Sequence, residues 1–129
     1  MNVQLPHDYI TNTTVFPHFH FSPNTTASGN VVFKTSYTWA NMGQTFGTET
    51  VVTSLITIDG DNMKWKHLMV TAPTGGITPP SNGGSFSSMI MMRIERLGTD
   101  NQDTYEATID MLEYDIHYLS QGIPVPFNH

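Results

Sequence analysis

The chain has 129 residues, room for one domain; 12% are charged, about half the usual share, and the net charge is −6. Five basic residues, Lys34, Lys64, Lys66, Arg93 and Arg96, form no extended cluster, which argues against a phosphate-backbone partner. No cysteine is present for a disulfide or thiol nucleophile, no apolar run nears the ~20 residues of a membrane span, and no basic-then-apolar leader opens the chain, so neither nucleic acid nor membrane is an expected partner.

Period-two alternation recurs along the chain, and helical periodicity does not. Strands are predicted over 2–5 and 14–21, the latter holding the run V-F-P-H-F-H-F-S-P. In 31–39, Val31, Phe33, Tyr37 and Trp39 share one face and Lys34, Ser36 and Thr38 the other, a half-buried strand. Further strands are predicted over 50–58 and 63–70. The segment 88–96, with Met89, Ile90, Met91, Met92 and Ile94, reads as a central strand buried on both faces. In 112–118, Leu112, Tyr114, Ile116 and Tyr118 alternate with Glu113, Asp115 and His117. Turn signals separate these runs, among them Ser28-Gly29-Asn30, Asp59-Gly60-Asp61 and Gly98-Thr99-Asp100. The Gly- and Pro-rich stretch 72–84 is a surface loop. The expected fold is all-β, an antiparallel β-sandwich of jelly-roll type over residues 1–120, followed by an extended C-terminal arm, 121–129.

Six segments in order carry a resemblance: Q-L-P-H-D-Y (4–9), P-H-F-H-F-S-P (17–23), Y-T-W-A-N (37–41), S-S-M-I-M-M-R-I-E-R (87–96), G-T-D-N-Q-D-T-Y (98–105) and L-E-Y-D-I-H-Y (112–118). Together they resemble small β-sandwich virion-associated structural proteins of tailed bacteriophages. The resemblance implies a structural, non-enzymatic protein located in the virion, a homotrimer whose partners are itself and the major capsid protein or another virion protein. Members of that group carry a segment upstream of the L-P-H motif, and this chain opens almost on it. A strand supplied by a neighbouring chain is one expectation that follows.

The pair His18 and His20 is the main chemical signal. In a strand both imidazoles point to one face while Phe19 and Phe21 enter the core. Three readings follow: hydrogen bonding between strands or at a subunit contact, a transition-metal ion held by His18 and His20, or a catalytic role. In a trimer three such strands around an axis would present six imidazoles, and the His-x-His pattern resembles that of iron sites in phage fibres. Glu113, Asp115 and His117 share the face of another strand and can complete a metal site with the pair, or form the polar side of that strand, pairing with Lys34 or Arg93. The Asp59–Asn62 segment and the loop holding Asp100 and Asp103 lack EF-hand spacing and read as turns.

Size favours a capsid decoration (cement) subunit, because 129 residues without a repeat leave no room for a fibre shaft. The alternative is a fibre-tip or head-fibre domain that binds a host surface glycan, with Trp39, Trp65 and loop 72–84 as its platform. A cupin-like metal enzyme is more remote: cupins follow the histidine pair with a nearby glutamate, and here the continuation is Phe21-Ser22-Pro23-Asn24-Thr25.

Overall fold

In the computed structural model, which describes residues 1–121, the alternating segments become strands that sort their apolar side chains into one inner layer. Among the described residues the strands are β1 (Asn2–Gln4), β2 (Phe16–Pro23), β3 (Gly29–Ala40), β4 (Thr50–Ile58), β5 (Leu68–Thr71), β6 (Met89–Arg96) and β7 (Ile109–His117). One helical turn, α1 (Gly60–Met63), lies between β4 and β5. The strands form a four-stranded sheet ordered β1-β6-β3-β4 and a three-stranded sheet ordered β5-β2-β7, antiparallel throughout. The chain is an all-β sandwich.

Alternation explains the core. From β3, Val31, Phe33, Thr35 and Trp39 are buried on the inner face. Facing them from β2 are Phe19 and Phe21, with the Phe19 ring edge-on to Phe33 at a centroid distance of 4.6 Å. Leu5, Tyr9, Val15, Ile77, Ile90 and Met92 close one end around Trp39, and Ile58, Ala72 and Tyr105 close the other. Tyr114 of β7 packs against both groups, so the inner layer is continuous between the sheets.

Two features depart from the sequence pattern. β6 is central in pairing, between β1 and β3, but only one of its faces is buried: Ile90 and Met92 point inward, whereas Met91 is 36% exposed. Nothing among the described residues covers the outer face of the four-stranded sheet there. The strand expected over 63–70 is shortened to β5 because the chain first makes a helical turn. Asp59 sits at the N-cap, its main-chain carbonyl accepts from Met63 N–H (2.8 Å), and Asn62 Nδ2 donates to Asp59 Oδ2 (2.6 Å). Gly60 makes that turn possible: a Cβ there would stand 2.2 Å from the Ala27 carbonyl oxygen, closer than any side chain can come.

Arg96 projects into the inner layer from β6 and would be an uncompensated charge without its clamp. Asp103 accepts from it through both oxygens, Nε to Oδ2 at 3.0 Å and Nη2 to Oδ1 at 2.7 Å. Asp103 Oδ2 also accepts from Val32 N–H (3.0 Å), and Arg96 donates to the carbonyls of Ala107 (2.6 Å) and Tyr105. The G-T-D-N-Q-D-T-Y loop is therefore tied across to β3 and β6, and Asp100 Oδ1 closes its turn on Gln102 N–H. At the C-terminal side, Ser120 bridges to Tyr9 and Gln121 N–H donates to Asp8 O. The arm expected over 121–129 lies, beyond Gln121, outside the described residues.

Candidate functional site

The histidine pair is positioned by the phenylalanines beside it. Because Phe19 and Phe21 must enter the core, His18 and His20 stand on the outer face of the three-stranded sheet, at its central strand. β7 runs antiparallel beside β2 and sets Asp115 opposite His18 and Glu113 opposite His20. On the other side β5 sets Thr71 opposite His18 and Met69 opposite His20. The register of β2 with β7 shifts after His20, where Glu113 faces His20 but Met111 faces Phe21.

Three imidazoles converge on one carboxylate. His18 Nδ1 lies 3.7 Å from Asp115 Oδ1, and His20 Nε2 and His117 Nε2 each lie 3.6 Å from Asp115 Oδ2. The His18 and His117 rings meet edge-on with centroids 4.0 Å apart. A fourth histidine, His67, joins from the turn before β5: its Nε2 is 2.7 Å from His20 Nδ1, a hydrogen bond in which one ring donates and the other accepts. Although it lies on an outward face, His18 is only 6% exposed. Burial pushes its pKa below the ordinary value, the neighbouring His117 and His20 push the same way, and Asp115 opposes them. The protonated form of the ring is therefore disfavoured.

The structure thus brings together His18, His20, Asp115 and His117, and adds His67, which the sequence alone does not single out. Glu113 shares the face as the cross-strand partner of His20. Lys34 and Arg93 take no part in this cluster. They belong to the outer face of the other sheet, where Lys34 pairs with Glu95 (3.4 Å) and Arg93 with Glu95 (2.5 Å) and Glu49 (3.8 Å). A set of imidazoles around a carboxylate can hold a cation or relay a proton.

The tryptophan platform is not assembled. Trp39 is 2% exposed, its indole N–H donates to Ser88 Oγ (2.8 Å), and only its rim reaches a small pocket of about 110 Å³ with Tyr37, Thr50, Thr78, Pro80 and Asn82. A ring held that way offers no face to a sugar. Trp65 is 67% exposed and stands alone of the two. The loop 72–84 is likewise pinned: Ile77 is fully buried and exchanges both main-chain hydrogen bonds with Val15. Compared with models of protein families, with curated proteins and with solved structures, the chain shows no match.

Proposed function

We propose that the chain is a structural protein of a tailed-phage particle, a trimeric β-sandwich subunit that decorates the capsid shell. The observation that carries this reading is the free edge of the four-stranded sheet. Among the described residues β4 pairs with β3 alone; it runs for nine residues and contains no proline and no charge. Its outer face leaves Val51 55% and Leu55 50% exposed. Isolated proteins protect such edges with lysine, proline or bulges; an unprotected one fits a strand that a second copy covers. Beside it the Lys34–Glu95–Arg93–Glu49 ion pairs form a charged border, the arrangement of an apolar contact with a polar rim. β1, β5 and β7 offer other edges, and joining unlike edges head to tail closes a ring.

The resemblance noted in the sequence supports the particle assignment. Its segments build the scaffold: Leu5 and Tyr9 of Q-L-P-H-D-Y are core residues, and Asp103 of G-T-D-N-Q-D-T-Y clamps Arg96. The glycan-binding reading keeps Trp65 and loses Trp39. Quantitative electrophoresis of purified particles, with immunogold labelling, tests the proposal. A decoration subunit is expected at a copy number comparable to the major shell protein, with label over the head. Label confined to the tail tip, or absence from particles, would reject it.

A further inference from the structure

The outer face of the three-stranded sheet leaves polar atoms in a state that folded proteins avoid. His18 Nδ1, His20 Nε2 and Asp115 Oδ1 are shut off from solvent and have no hydrogen-bond partner among the described residues. Burying such atoms unpaired is costly, and each one calls for an explanation. His18 Nδ1 and His20 Nε2 both face the Asp115 carboxylate. The nitrogens of His18, His20 and His117 stand 3.6–3.7 Å from the Asp115 oxygens, outside the roughly 2.7–3.2 Å of an N–H···O bond. Two ligands on one tetrahedral zinc, bonded at about 2.0–2.2 Å, stand roughly 3.4 Å apart. The spacing is that of groups sharing a cation, opened by a few tenths of an ångström.

We propose that His18, Asp115 and His117 bind one zinc-class divalent transition-metal ion in each chain, with His20 as fourth ligand and His67 as the group that orients it. Ligand atoms of the first three all lie within 4.8 Å of one another; His20 stands just outside that set, its Nε2 3.6 Å from Asp115 Oδ2, and must turn inward to complete it. The His20 Nδ1–His67 Nε2 hydrogen bond leaves His20 Nε2 as the ligand atom, the outer-shell support that metal-bound imidazoles usually have. Three nitrogens and one carboxylate suit zinc, nickel or cobalt rather than calcium or magnesium, which take oxygen. The nitrogens turn toward Asp115 of their own chain, so the ion belongs within a subunit and not on an axis shared by three. Bound there, it cross-links β2 to β7, two strands far apart in sequence. The site does not depend on the chain's role in a particle.

Equilibrium dialysis of the full, untagged chain against Zn²⁺, followed by elemental analysis, tests it. One zinc per chain is expected. His117→Ala should weaken binding by at least ~100-fold, and because His117 is 60% exposed at its side chain the variant keeps the wild-type circular-dichroism spectrum. Asp115→Asn should do the same, and His67→Ala should weaken binding by about 10–100-fold. Zinc should raise the melting temperature of the wild type and not that of His117→Ala. Cobalt in place of zinc should give the intense visible absorption of a four-coordinate ion. No retained zinc, wild-type affinity in His117→Ala, a weak six-coordinate cobalt spectrum, or one zinc per three chains would each overturn the proposal.

Discussion

Phe19→Ala is expected to lower stability by about 4 kcal/mol and the melting temperature by on the order of 15 °C. Phe19 is fully buried at the middle of β2, edge-on to Phe33 and 5.9 Å from the Phe21 ring, and its backbone pairs with Tyr114 on one side and Val70 on the other. Truncation removes the contact between the two sheets and leaves a cavity that strands held on both sides cannot close. The same residue fixes the direction of its neighbours, because inward Phe19 is what makes His18 and His20 face outward. Phe19→Leu keeps most of the volume and should cost only about 1–2 kcal/mol. Thermal melts followed by circular dichroism separate the two variants; equal losses would show that this ring is not central to the packing.

Asp103→Ala is the second large effect, about 3 kcal/mol and roughly 10 °C. Its side chain is 2% exposed, and its removal leaves the Arg96 guanidinium between the sheets without a counter-charge and the Val32 N–H without an acceptor. The Arg96 hydrogen bonds, with that from Val32 N–H, hold the Asp103 carboxyl below its ordinary value of 3.8, while burial works against them. The folded carboxylate thus binds its proton less readily than the unfolded one. This contribution is complete above the ordinary carboxylate value and is lost as pH falls through the folded value. Wild-type stability should drop steeply on acidification below about pH 4, and the drop should be shallower in Asp103→Ala. Parallel pH profiles for the two proteins would contradict the clamp.

Strands with strict alternation were legible in the sequence because one buried face imposes period two. β4 follows the pattern closely and its predicted bounds coincide with the observed ones, whereas β3 is also buried on its second face at Val32, Ser36 and Ala40, and in β7 Leu112 is exposed. β5 was obscured by Asp59-Gly60-Asp61-Asn62, whose side-chain and main-chain bonds favour a helical turn over continued extension. β6 looked doubly buried because methionines fill both of its faces, and only the burial of Ile90 and Met92 against the exposure of Met91 shows which face lacks a cover.

The site was partly legible for the same reason. Alternation places His18 with His20, and Asp115 with His117, on single faces. That the two faces join depends on the register of β2 against β7, set by contacts between distant parts of the chain that no local pattern encodes. His67 lies inside the strand predicted over 63–70 without any partner to mark it, and only the pairing of Phe21 with Leu68 and His20 with Met69 brings it to the cluster. Trp39 carried a contradiction that the sequence already contained. It shares its face with Val31 and Phe33, and a side chain on the core face cannot also present itself to a sugar.

The account turns on β4 as a surface made to be covered by another copy of the chain. Sedimentation velocity over a wide concentration range, on the wild type and on Leu55→Lys, measures this directly. The wild type should run as a trimer, and Leu55→Lys, which sets a charge in the middle of the exposed edge, should run as a monomer with an unchanged circular-dichroism spectrum. A wild type that sediments as a monomer at every concentration would contradict it.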